Sequence, residues 1–181
     1  LKPDVTLSII KHTKANMTCP DRVYYHENVY RARKDDDEYK EIMQVGLEYI
    51  GEVDDYAISE VVLLAKKSLD SISTHSVLNV SHMGFLLGLL EETGLGEAIQ
   101  KKLLACISEK NPHGIAEICT EYGIAEDLTT CIQKVAASHG TLEDMLPIIW
   151  DLCRNDTMRK SASELEQLEQ NLCACIYQQG V

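Results

Sequence analysis

Residues 38 to 51, Glu-Tyr-Lys-Glu-Ile-Met-Gln-Val-Gly-Leu-Glu-Tyr-Ile-Gly, alternate in character with a period of two. That period belongs to a β-strand, whose successive side chains point to opposite faces of a sheet. Met43, Val45, Leu47 and Tyr49 then form one apolar face, expected to pack inward. Gln44, Gly46 and Glu48 form the other: an amide, a gap with no side chain, and a carboxylate. Such a shelf, open in its middle, suits a small, polar, amine-bearing ligand. A half-exposed strand with a solvated face is the plainer alternative.

A second strand-like run, Arg22 to Arg33, comes before it, and the charged Lys34-Asp35-Asp36-Asp37 joins the two as a hairpin. Upstream, Pro3-Asp4-Val5-Thr6 leads into a short helix over Leu7 to Ala15, whose start Thr6 could cap. After Gly51, Asp54 or Asp55 caps a helix with a core stripe of Ile58, Val61, Val62, Leu64, Ala65 and Leu69. His75 to Val80 reads as one more strand.

From His82 the texture changes to helix. The spacing predicts helices over Met83 to Glu92, Gly96 to Glu109, His113 to Tyr122, Glu126 to Ala137, Leu142 to Cys153 and Ala162 to Tyr177. Gly, Asn-Pro, Gly-Thr and Asn-Asp breakers separate them. Short links between short helices imply a compact antiparallel unit. The chain therefore reads as α+β, with a boundary at Leu95 between residues 1–94 and 95–181.

The 181 residues, 45% hydrophobic, suffice for one core or a core with a small satellite. Lys and Arg total 17 against 29 Asp and Glu, a net charge of −12. Such a surface repels phosphate backbones and disfavours nucleic-acid binding by this chain alone. No apolar run approaches the length of a membrane span, and no charged-then-apolar leader opens the sequence. The start at Leu1, inside what reads as a structured segment, suggests a fragment.

The seven cysteines follow neither a zinc-ribbon nor a disulfide pattern. Cys173 and Cys175 point to different helix faces. Cys106, Cys119, Cys131 and Cys153 sit among Leu, Ile and Ala as small hydrophobes, as in a reduced, cytoplasmic protein. Six scattered histidines offer no metal-ligand pair, so neither metal nor cofactor is expected. No nucleophile motif surrounds any Ser or Cys. Glu164, Glu166 and Glu169 read as a solvated helix face and Trp150 as core.

Arg31 has the parity to face the same shelf as Gln44 and Glu48. An arginine fork binds a carboxylate or phosphate, and a carboxylate complements an ammonium. Together they could hold an amino acid by its two charged ends, with Gln44 as an adaptable donor and acceptor. Pairing of Arg31 with Asp35 or Glu38 across the hairpin is the alternative.

Val29-Tyr30-Arg31, a charged loop, and Glu38 through Glu48 resemble motif 2 of class II aminoacyl-tRNA synthetases in its histidyl form. Leu1-Lys2-Pro3-Asp4-Val5-Thr6 resembles the Leu-Arg-Pro-Glu-Gly-Thr segment that precedes that motif. Two departures point to a branch. Arg33 stands where a working synthetase carries an ATP-holding acid, and Asp4-Val5 replaces Glu-Gly. The pattern is similar to that of regulatory subunits of ATP phosphoribosyltransferase, relatives that do not charge tRNA. The helix start at His82-Met83-Gly84 and the stretch at Lys110-Asn111 are weaker matches to the same branch.

This resemblance implies a partial class II antiparallel sheet followed by a helical insertion domain over 95–181. It implies a histidine pocket lined by Gln44 and Glu48 at the ammonium, Arg31 at a carboxylate or phosphate, Thr6 beside the ligand, and Asp4 in place of the synthetase glutamate. It also implies a partner, the catalytic subunit of short-form ATP phosphoribosyltransferase, and self-association of the full-length protein. An active histidyl-tRNA synthetase is the runner-up, and a histidine-sensing module with another partner is a third reading. Motif 1, motif 3 and the Tyr-Tyr-Thr-Gly segment are absent, so the pocket is expected to be only partly present.

Overall fold

The computed structural model describes residues 5–13, 19–32 and 39–179. The chain divides into two compact units, Leu1–Leu78 and Asn79–Val181.

In the first unit, β1 (Asp21–Ala32) and β2 (Tyr39–Ile50) form an antiparallel ribbon with Glu27 opposite Gln44, Tyr25 opposite Gly46 and Val23 opposite Glu48. Both strands are dense in Val, Ile and Tyr, residues that fit a pleated surface. The short helix α1 (Thr6–His12) lies against one face, where Val5 and Ile9 pack on Tyr25 and Val29.

Along Met43 and Val45 the covered face is the polar shelf, which reverses the expectation there, while Leu47 and Tyr49 on the other face are half-buried as well. Met43 is 65% and Val45 67% exposed, while Gln44, Gly46 and Glu48 are half-buried. The apolar residues of α1 land beside Tyr25 and Val29, so this unit builds its small core on that side. The opposite face is held by cross-strand polar contacts. Asn28 and Tyr30 both donate to Glu41 Oε1, at 2.9 and 3.0 Å, and the carboxylate holds the Tyr30 hydroxyl above its ordinary pKa.

Helix α2 (Asp55–Ile72) is capped by Asp54, whose carboxylate accepts from Ala57 N at 2.8 Å. Glu60 on α2 accepts from Arg22 at 2.8 Å, and the Arg22 guanidinium sits 5.2 Å from the Tyr49 ring centre. The helix buries Ala57 and Ser59 rather than the expected stripe, which stays half-exposed with Leu64 at 46%. Residues 75–80 are not a strand. No strand among the described residues pairs with them, and a strand without a ladder partner leaves its backbone groups to water.

The second unit is helical: α3 (Met83–Glu91), α4 (Glu97–Ser108), α5 (Pro112–Glu121), α6 (Glu126–Ala137), α7 (Leu142–Leu152) and α8 (Asp156–Gln179). Leu89, Leu90, Leu103, Ile115, Ile132 and Met158 are almost wholly buried in one core. Helix α3 belongs to this unit although it precedes Leu95, because it packs along α8. Gly88 permits that approach: a Cβ there would lie 2.9 Å from Met158 Cγ. Asn155 joins the two helices by donating to Gly88 O at 2.8 Å and accepting from Met158 N at 2.9 Å. Glu164 is not merely solvated, since it bonds His82 Nε2 at 2.7 Å. Trp150 is 37% exposed, at the edge of the core rather than in it.

Cys119 and Cys131 are buried, and Cys106 and Cys153 are half-buried. Burial pushes the Cys131 and Cys153 thiols up, as expected for thiols packed as hydrophobes. The described cysteines are free.

Candidate functional site

The site lies on the covered face of the ribbon. Thr6 opens α1 but does not cap it. The N-cap position is Val5, and the Thr6 hydroxyl instead donates to Glu48 Oε1 at 2.5 Å. A helix residue is thereby pinned to a strand carboxylate 42 positions away in sequence. Glu48 Oε2 accepts no hydrogen bond among the described residues and remains able to take an N–H from a ligand.

Gln44 donates from Nε2 to Tyr25 Oη at 2.8 Å. Tyr25 is the residue that sequence reasoning missed. Its ring fills the space that Gly46 leaves, for a Cβ on Gly46 would lie 2.2 Å from Tyr25 Cζ. The expected opening in the shelf is therefore occupied by an aromatic ring. Counting the ladder back from the hairpin would have placed Tyr25 opposite Gly46, and a glycine within a strand marks a close approach.

Arg31 shares this face but not this place. It pairs with Lys40, four ladder positions from Glu27 and eight from Val23. At the rise of an extended strand those are roughly 13 Å from the Gln44 row and roughly 26 Å from the Glu48 row. One amino acid cannot join Arg31 to Glu48, although Arg31 and Gln44 can converge on a shared ligand. Asp4, Arg33 and the charged loop lie outside the described residues.

Beside the shelf, α1 and β1 border an open cleft of about 420 Å³, lined by Val5, Ile9 and His12 on one side and Asp21, Val23, Tyr25 and Glu27 on the other. With Glu48 nearby on the same face, its carboxylates favour cationic groups over anionic ones. Among the described residues no three His, Cys, Asp or Glu side chains are grouped to hold a metal, and no helix is long and apolar enough to cross a membrane.

A family model described as Histidyl-tRNA synthetase matches residues 1–177. The chain belongs to the histidyl-tRNA synthetase family. It is 29% identical over 172 residues to an ATP phosphoribosyltransferase regulatory subunit of Desulfitobacterium hafniense, covering 93% of this chain and 44% of that protein. It is 26% identical over 176 residues to a histidine–tRNA ligase of Methanococcus aeolicus, covering 94% and 42%. The chain thus spans less than half the length of either relative.

Solved structures agree on the fold. An ATP phosphoribosyltransferase regulatory subunit/histidyl-tRNA synthetase from Bacillus halodurans C superposes with a TM-score of 0.70 at 21% identity, covering 96% of this chain and 46% of that one. An ATP phosphoribosyl transferase (HisG:HisZ) complex from Thermotoga maritima gives 0.64 at 20%, covering 94% and 60%. The α+β architecture is that of a class II synthetase, and the sheet among the described residues is the two-stranded ribbon.

Proposed function

We propose that this chain is the histidine-sensing part of a non-catalytic regulatory subunit that joins the catalytic chain of short-form ATP phosphoribosyltransferase. The observation that carries the reading is the split shelf. Tyr25 stands between two sites for an N–H group, Gln44 on one side and Glu48 with Thr6 on the other. Gln44 and Glu48 lie four residues apart on β2, roughly 13 Å between Cα atoms, so each serves a different part of a ligand. Histidine carries two separate N–H groups, an ammonium and an imidazole, and most amino acids carry one. Laid along β2, it would meet Gln44 with one and Glu48 with the other, leaving Arg31 to take a phosphate or another anionic group beyond the Gln44 end. Thr6 would close the Glu48 end, and Asp4 would contribute a further carboxylate to the ligand.

Charge supports regulation over tRNA charging. The helical unit Asn79–Val181 carries fifteen Asp and Glu against seven Lys and Arg, which repels an RNA backbone. The regulatory name carried by the Desulfitobacterium relative agrees with this, and the ligase name of the Methanococcus relative keeps the second reading alive. As a regulator, the subunit would act by population shift in a cytoplasmic hetero-oligomer in which the full-length protein also self-associates. Histidine must bind the inhibited assembly better than the active one, and that difference in affinity sets the strength of feedback.

The test uses the full-length protein that contains this chain. Titration calorimetry should show histidine binding, and co-purification should recover a short-form catalytic subunit whose activity it raises. Histidine-dependent ATP–pyrophosphate exchange, or charging of tRNA, would end the regulatory reading in favour of the ligase.

A further inference from the structure

We propose that Tyr25 is a positioning residue that fixes which end of the Gln44 amide meets the ligand. The inference rests on the histidine reading and adds a residue to it. A glutamine amide has two nearly isosteric poles, a carbonyl that accepts and an NH2 that donates. Only the carbonyl attracts an ammonium; turned by 180° about χ3, the same side chain repels it. In this structure the amide nitrogen faces Tyr25, with Nε2 donating to Tyr25 Oη at 2.8 Å. Gln44 Oε1 accepts nothing among the described residues and is the pole left for a ligand.

The ring that holds the amide is itself packed in place. Tyr25 is 9% exposed and packs with Val5 and Val29. Its ring tip sits where any side chain at position 46 would have to be, with Cζ 2.2 Å and Oη 2.3 Å from a Cβ built there. Glycine at 46 is thus the condition for the hydroxyl to reach Gln44. Tyr25 acts through Gln44, and its contribution is a choice of amide rotamer.

The test is calorimetry on the full-length protein with two probes, histidine and 3-(imidazol-4-yl)propionate, which lacks the ammonium. Y25F keeps the ring over Gly46 and removes only the hydroxyl. It should weaken histidine about tenfold, the scale of one hydrogen bond, and leave the deaminated probe within about twofold. In a Q44E background both oxygens accept whichever way the group turns. There, Y25F should change histidine binding by less than about twofold. Equal weakening of both probes, no weakening of histidine, or an undiminished loss in the Q44E background would overturn the assignment and leave the histidine reading standing. A wild-type protein that binds neither probe would remove both.

Discussion

The two units are built on opposite terms. The helical unit buries a continuous core in which Leu89, Leu103, Ile115, Ile132 and Met158 are sealed from solvent on all sides. The ribbon unit has a core of Val5, Tyr25 and Val29, and it leans on ladder hydrogen bonds and single polar pins such as Thr6 to Glu48. Packing makes the first rigid by many small contacts. The second is defined by a few specific ones, and the candidate site is made of those same contacts. Changes in the helical unit should therefore read out as stability, and changes on the ribbon as binding.

The largest effect tests the stability half of that contrast. Leu89→Ala removes a side chain with no exposure, and a core around such a gap relaxes only partly. The loss should be about 2–5 kcal/mol, read by chemical denaturation through Trp150, the only tryptophan, which lies in this unit. Val29→Ala on the ribbon should cost about 1.5 kcal/mol, measured as faster amide exchange along β2, because fewer buried neighbours surround it. Equal costs would contradict the difference in packing.

Glu48→Gln tests the binding half. It keeps the shape and the Thr6 partner but loses the charge. Histidine affinity should fall by about 1.5–3 kcal/mol, the range for a hydrogen bond to a charged group, with the melting temperature nearly unchanged. Calorimetry that shows full affinity would remove Glu48 from the pocket. Gly46→Ala crosses the divide. Its methyl collides with the Tyr25 ring, so the ribbon should lose about 1–3 kcal/mol by overpacking and histidine binding should fall with it. A variant that melts normally and binds normally would show that the ring does not need that space.

How much of this was legible follows the same divide. Helix periodicity survives in sequence because each apolar stripe records a core that lies within the helical unit. Glu126–Ala137 is recovered residue for residue, while α8 begins six residues ahead of the reading because Asp156–Ser161 carries weak apolar signal. The hairpin and the Asp54 cap were legible for local reasons. The inward face of β2 was not. Alternation shows that two faces differ and says nothing of which one α1 will cover, and the answer depended on Val5 and Ile9. Thr6 was misread for a related reason, since a helix-start threonine has a local use as a cap and a distant one at Glu48. Gln44 and Glu48 were visible as residue types on one strand. Tyr25 was not, because its role exists only across the ladder.

The smallest effect concerns two turns in the helical unit that differ by one residue type. Helix α5 ends with Ile124 N bonded to Cys119 O and Gly123 N to Thr120 O, with Gly123 at φ 70°. Helix α4 ends in the same way, Asn111 N to Cys106 O and Lys110 N to Ile107 O, but the left-handed position is Lys110 at φ 52°. This is the six-to-one and five-to-two pattern that glycine usually serves. A residue with a Cβ is strained there by about 1–2 kcal/mol, offset in part by the greater chain entropy that glycine loses on folding. The lysine charge near the helix C-terminus returns a few tenths more. Lys110→Gly should therefore stabilise the helical unit by about 0.5–1 kcal/mol, and Gly123→Lys should destabilise it by a similar amount. Paired denaturation curves followed through Trp150 decide it. Shifts of the same sign would mean that the two turns are not equivalent, and that Lys110 holds its position through contacts that glycine cannot replace.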